Sequence, residues 1–199
     1  MRFALWFFGA VLAAQSPKVL IIGDSISIGY TPPLTKLLAG KAVVTHNAGN
    51  AAHSSNGVAK LEEWLGKESW AVIHFNFGLH DLRRMDDGKH QVLVEQYELN
   101  LDRIATRLTK SGAKVTFATT TPVPDGKLSP PRVPGDDVKY NDAALRVMKK
   151  HGIPVVDLYG FVKPQQAKLL AKPNVHFEST GYEALAQQVA AEIEKHLKQ

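Results

Sequence analysis

Four apolar residues, Val19-Leu20-Ile21-Ile22, run into Gly23-Asp24-Ser25. That junction restricts the fold more than any other stretch of the chain. A short apolar run closed by glycine reads as a buried strand followed by a sharp turn. In an open α/β sheet such a turn lies at the carboxyl edge of the strands, where sites are built. Asp24 and Ser25 are also good helix N-caps, so the turn taken alone fits simple capping. Its place on the first strand, together with a histidine just before the last helical segment, favours a chemical role for Ser25.

The rest of the chain alternates strands and helices. Pro32-Pro33 reads as the start of a short helix reaching Leu37-Leu38 and stopped by Gly40, with proline early and glycine late. Residues 42–46 read as a second strand, followed by Asn47-Ala48-Gly49-Asn50 and a small-residue loop to Gly57. Val58, Leu61, Trp64 and Leu65 fall at helical spacing, with Gly66 as the stop. A third strand covers 70–77 and ends at Gly78-Leu79-His80-Asp81. A long helix follows over 91–110, then a Val- and Thr-rich strand over 115–121. Residues 122–137 hold five prolines and two glycines and read as a surface loop that could wall a site. A helix over 138–150, a fifth strand over 153–158 and a short helical piece near 165–171 come next. The last helix begins near Ser179 or Thr180, with Glu183 suiting a capping box. Strands alternating with helices imply a parallel sheet covered by helices on both faces. Its 199 residues, 44% of them hydrophobic, suffice for one domain with a full core.

Met1–Ala14 is a segment of another kind. Arg2 precedes an apolar, aromatic-rich run that ends in small residues, the pattern of a cleaved signal peptide and too short to span a bilayer. The reading is therefore a signal peptide over 1–14 and a single domain over 15–199, exported to a periplasm or medium, with no stable membrane anchor. The chain has no cysteine, which removes disulfides, thiolate catalysis and thiolate metal sites. Its net charge of +5 is scattered, with no patch or motif for nucleic acid. Neither a P-loop nor Gly-x-Gly-x-x-Gly is present, so the first turn has no support as a nucleotide site. No cofactor and no metal are expected.

The carboxyl edge would gather Ser25, the 47–50 loop and His80-Asp81, with His176 arriving just before the last helix. A serine becomes a nucleophile only with a base in hydrogen-bond reach, and an acyl oxyanion needs preorganised donors. The blocks Gly23-Asp24-Ser25, the Gly49 loop, Gly78-Leu79-His80-Asp81 and Val175-His176-Phe177 with Gly181-Tyr182 resemble, in order and spacing, those of the SGNH (GDSL) hydrolases. The resemblance covers nearly the whole chain after residue 14. It implies a three-layer, flavodoxin-like five-stranded parallel sheet of order 2-1-3-4-5, and metal-free ester or thioester hydrolysis with Ser25 as nucleophile and His176 as base. Two departures stand out. The family's oxyanion-donating asparagine in the third block is His80 here, whose ring N–H can also donate. The family's aspartate three residues before the histidine is Pro173, so a backbone carbonyl of Pro173 or Asn174 is expected to orient His176. Gly49 is the candidate backbone donor of the second block.

Asp24 and Arg83 are candidate substrate contacts, with Arg84 beside Arg83. Asp81 is expected to bind loop backbone near the first block, and Asp157 to tidy a strand end. Asp86-Asp87 reads as a turn pair. His74 reads as structural, and His90, His151 and His196 as residues of helix ends or surfaces. The expected substrate is a small-molecule or oligosaccharide ester carrying a short acyl group, acetyl first. Two alternatives are a lysophospholipase or other lipid-directed esterase, and a carbohydrate-binding relative impaired by Pro173 and His80.

Overall fold

The computed structural model describes residues 15–171 and 174–198. The signal-peptide reading of 1–14 and the expectation for Pro173 lie outside the described residues.

Five parallel strands form one sheet: β1 (Lys18–Ile22), β2 (Val43–His46), β3 (Val72–Phe75), β4 (Lys114–Ala118) and β5 (Val155–Val156), in the order β2-β1-β3-β4-β5. In β1, Val19 to Ile22 are at most 1% exposed, because neighbouring strands flank them and helices cover both faces. Leu20 lies opposite Thr45 of β2 and Ile73 of β3. The order reverses between β1 and β3, and that switch point opens a crevice at the carboxyl ends. Helices α1 (Ser25–Leu37) and α7 (Ser179–Leu197) pack together on one face; α2 (Ser54–Leu65), α3 (Val94–Thr109) and α4 (Asp136–His151) pack in sequence on the other. Two short helices, α5 (Leu158–Val162) and α6 (Gln166–Leu169), follow β5.

Helix α1 departs from the sequence reading. It starts at Ser25 rather than Pro32, and Pro32-Pro33 lie inside it. Each proline removes an i→i−4 bond, at about 3 kcal/mol. The Asp24 carboxylate offsets part of this by capping the helix, accepting from Ile26 N–H at 3.0 Å. Buried Ile26, Tyr30 and Leu34 supply the rest, at about 1.5–3 kcal/mol per large apolar side chain. The α1–α7 contact needs Gly29: a Cβ there would come within 2.1 Å of the Tyr182 ring.

Other boundaries also shift. Helix α2 begins inside the expected small-residue loop, because the His53 ring caps it through Asn56 N–H. Strand β5 stops at Val156, and Asp157 caps α5 by accepting from Gly160 N–H at 2.9 Å and Thr119 Oγ1 at 3.1 Å. The Glu183 capping box does not form; Glu178 occupies the N-cap of α7 with no side-chain bond. His74 is structural, its Nδ1 at 2.8 Å from Thr116 Oγ1, and burial pushes its pKa down to about 3, so it stays neutral. His90 is on no helix end: it is part-buried against the Asp136 carboxylate at 2.7 Å. No helix among the described residues is long and apolar enough to cross a membrane.

Candidate active site

Ser25 is the first residue of α1, at the carboxyl end of β1. Its turn is held from below by backbone bonds. Gly23 N–H donates to Asn47 Oδ1 at 2.9 Å, and Ala51 N–H donates to Gly23 O at 2.9 Å. The loops after β1 and β2 are thus tied to each other. Asp24 is wholly buried beneath the turn, and burial raises its carboxyl to about 6. This corrects the expectation that it contacts substrate.

His176 lies 151 residues away in sequence, yet its Nε2 is 2.8 Å from Ser25 Oγ. Val175 and Phe177 on either side are 5% exposed and anchor it in the core. Ala171 N–H donates to His176 O at 2.9 Å, and Leu170 bridges Phe177. The other ring nitrogen, Nδ1, is 2.8 Å from Asn174 Oδ1. For Asn174 the expectation of a backbone carbonyl is corrected here: its side-chain carbonyl holds the ring. That Oδ1 also accepts from Val175 N–H at 2.8 Å and His176 N–H at 3.3 Å. Two backbone donors fix which end of the amide is oxygen, so Nδ1 must carry the proton. Nε2 is then left with its lone pair toward Ser25. Burial first, and the Arg132 charge second, lower the His176 pKa below the ordinary imidazole value.

The turn after β3 supplies the opposite wall. Gly78 has φ +148°, and a Cβ there would meet Thr120 at 2.8 Å, so glycine is required where the chain leaves the strand. Leu82 N–H returns to Gly78 O at 2.9 Å and presents His80 at the rim. His80 is half-buried, and neither ring nitrogen is hydrogen-bonded within the described residues. Burial, then the charges of Arg132, Arg83, His53 and His176, push its pKa to about 4. It is therefore a neutral imidazole near pH 7, close enough to His176 for their charges to oppose. Asp81 is fully buried and accepts from Ser54 N–H at 2.8 Å and from Ser54 Oγ, rather than binding near the first block. This bond ties the start of α2, and with it His53, to the His80 turn.

In the 47–52 loop, Gly49 has φ +68° and its carbonyl accepts from Asn47 Nδ2 at 3.1 Å. Its N–H has no partner among the described residues. Among the described residues, Ala52 is the non-glycine residue with positive φ, at 56°. Such a conformation costs about 1–2 kcal/mol and points to a site. Its N–H is held by the exposed Asn50 Oδ1 at 2.8 Å. Among the described residues no group of three or more His, Asp or Glu side chains is gathered as a metal site.

The sequence reading missed Arg132 and the side-chain role of Asn174. Arg132 sits in the proline-rich loop and is drawn to the site by donating from Nε to Leu79 O at 2.8 Å. Arg84 is removed from the substrate-facing candidates by its ion pair with Asp136 at 2.8 Å. Arg83 has no such partner among the described residues. A groove of about 530 Å³ is lined by Asn174 together with Pro124, Asp125, Lys163, Gln166 and Leu170 among others. The arrangement can pass a proton from a serine hydroxyl to an oriented, neutral imidazole beside donors suited to an oxyanion.

Comparison with known proteins agrees with this class of fold. Residues 21–184 match the model of the "GDSL-like Lipase/Acylhydrolase family", and the chain belongs to that family. It is thereby an esterase of the SGNH type. The fold is shared with a lipase/acylhydrolase from Enterococcus faecalis at TM-score 0.79 and 22% identity, covering 90% of this chain and 96% of that one. An acetyl xylan esterase superposes at TM-score 0.76 and 14% identity, over 88% of this chain and 99% of the other. An acetylxylan esterase from Geobacillus stearothermophilus does so at TM-score 0.74 and 19% identity, over 89% and 94%. No match is found among curated proteins.

Proposed function

We propose that the protein hydrolyses short-chain carboxylic esters, acetyl groups on carbohydrate first among them, through a Ser25–His176 dyad. One observation carries the reading: Ser25 Oγ and Asn174 Oδ1 sit on the two nitrogens of one imidazole, each at 2.8 Å. In the forward step Ser25 Oγ attacks the ester carbonyl carbon while its proton passes to His176 Nε2. The carbonyl oxygen becomes an oxyanion facing a His80 N–H and a backbone N–H of the 47–52 loop, Gly49 first. Collapse breaks the acyl–oxygen bond, and His176 returns the proton to the departing alkoxide. Water, deprotonated by His176, then releases the acyl group from Ser25.

Asn174 replaces an anionic orienter with a neutral one. It keeps the tautomer but stabilises the imidazolium less. The arrangement favours a working dyad over an impaired binding relative. The groove lined by Asn174 mixes Lys163, Asp125 and Gln166 with its apolar wall, a polar surface next to the residue that orients His176. Export, resting on the Met1–Ala14 pattern, would bring the enzyme to such substrates.

A fluorophosphonate probe tests the class of mechanism. Covalent labelling is expected at Ser25, found by peptide mass mapping and absent from Ser25→Ala. A protein that takes no label at Ser25 is not a serine hydrolase acting through this dyad.

The pH profile tests the base. His176 must be neutral to accept a proton, and its pKa is lowered, so kcat/KM is expected to fall only below about pH 6.5. Asn174→Asp puts a carboxylate against Nδ1–H and favours the imidazolium. The acid limb should then move up by about one unit, a modest shift because residue 174 is exposed. An unmoved limb would show that another group sets it.

A further inference from the structure

Among the described residues, the arginines divide into three kinds. Arg84, Arg107 and Arg146 each pair with a carboxylate: Asp136, Glu62 and Glu98. Arg103 is exposed on α3. Arg83 and Arg132 are neither exposed nor in an ion pair. Arg132 is 9% exposed; Nε donates to Leu79 O and Nη1 to Pro130 O, and Nη2 makes no bond within the described residues. Arg83 is half-buried, its Nε is shielded without a partner, and its side chain makes no hydrogen bond there. A guanidinium drawn off the open surface is normally paired with a carboxylate. Here the Asp24 charge supports Arg132 without contact, the free Nη groups of both arginines still reach solvent, and neither makes an ion pair among the described residues, so their placement asks for another explanation.

Their position supplies it. Arg132 is pinned to the carbonyl of Leu79, the residue before His80, and Arg83 follows His80 by three residues in the same turn. The Ser54–Asp81 bond brings His53 to that turn, with its Nδ1 accepting from Asn56 N–H and its Nε2 left free. The nearby carboxylates do not neutralise the cluster by contact. Asp24 and Asp81 are fully buried, bond to Ile26 and Ser54, and make no hydrogen bond to either arginine. The charges of both arginines nonetheless reach His80, and that of Arg132 reaches His176. The cluster thus borders the reacting atoms.

We propose that Arg83 and Arg132 form a subsite for an anionic group of the substrate, a carboxylate or phosphate carried on the alcohol part of the ester beside the scissile bond. The proposal deepens the Ser25–His176 reading and rests on it for what happens to the bound ester. The planar guanidinium fork suits oxygens of both groups. His53, whose Nδ1 accepts from Asn56 N–H and whose Nε2 then carries the proton, can add to their recognition as a neutral donor.

The test compares three acetylated sugars of one scaffold: methyl glucoside, methyl glucuronoside and methyl glucoside phosphate. Charge-assisted contacts predict a kcat/KM about 10- to 100-fold higher for the anionic esters than for the neutral one. Whichever anion gains more identifies the group. High salt should shrink the preference. Arg132 also anchors the loop, so Arg83→Gln carries the test; it should reduce turnover of the anionic esters at least tenfold more than that of the neutral ester. Arg83→Lys should recover part of the difference. Equal kcat/KM across the three sugars overturns the proposal. So does an Arg83→Gln loss that is uniform, since that would make the charge an aid to the oxyanion rather than to substrate choice. Titration of Ser25→Ala with glucuronate, glucose phosphate and glucose separates the two readings. Glucuronate or glucose phosphate bound tighter than glucose, and dependent on Arg83, supports the subsite even where no ester is turned over. Equal binding rejects it even where all three esters are hydrolysed.

Discussion

Ser25→Ala is expected to lower kcat for p-nitrophenyl acetate by about 10⁴- to 10⁶-fold, the range seen when a serine hydrolase loses its nucleophile. The fold should survive. Ser25 makes one side-chain bond, to His176, worth about 1 kcal/mol. Thermal melting of a domain of this size should then drop by only about 2–4 °C. The chain contains its own control. Ser27 Oγ lies 2.7 Å from His46 Nε2, and His46 Nδ1 is 2.8 Å from the Asn47 carbonyl. On paper this is another serine–histidine–carbonyl series. Ser27 is fully buried, however, and its hydroxyl also faces Asp24 O at 2.8 Å. No ester can reach it. Ser27→Ala should destabilise the β1–α1 turn by about 1–3 kcal/mol, by leaving a polar neighbour unsatisfied, and should leave kcat near wild type. Activity that survives Ser25→Ala but vanishes in Ser27→Ala would move the nucleophile two residues along α1 and overturn the assignment.

The contrast between the two serines shows what the sequence could convey. The strand, the turn and the topology follow from local pattern: an apolar run closed by glycine, repeated with helices between. Ser25 and His176 follow from position on that frame. What escaped the sequence depends on contacts between distant segments. Helix α1 continues through Pro32-Pro33 because Tyr30 and Leu34 are buried in the core, Tyr30 edge-on to the His74 ring of β3, which proline rules applied locally do not see. Helix α2 starts at Ser54, in a weak helix-forming stretch, because Asp81 and His53 bind its first turn. Asn174 was visible as a residue, but two backbone N–H groups decide that its amide oxygen, not a main-chain carbonyl, holds His176. Arg132 lies in a proline-rich loop with no periodicity, and only its bond to Leu79 O places it at the site.

His80 should be the next most sensitive position. The third-block turn carries an imidazole where the family has an amide, and no residue among those described hydrogen-bonds that imidazole. Its ring nitrogens are absent from the buried, unpartnered polar atoms and so reach solvent, where an N–H is free to meet a ligand. Its pKa of about 4 keeps it neutral across the working range of His176, so one N–H is always on offer and no charge competes for the proton from Ser25. Losing one oxyanion donor typically costs about 100- to 1,000-fold in kcat. His80→Ala should show that loss with p-nitrophenyl acetate while KM changes little, because the donor acts on charge that exists only in the transition state. His80→Asn should recover much of it by restoring an N–H near the same point. Melting temperature should barely move in either variant, since no internal hydrogen bond is removed. A kinetically silent His80→Ala would leave an oxyanion hole made of backbone alone, and the free N–H of Gly49 would then carry the charge with the start of α1.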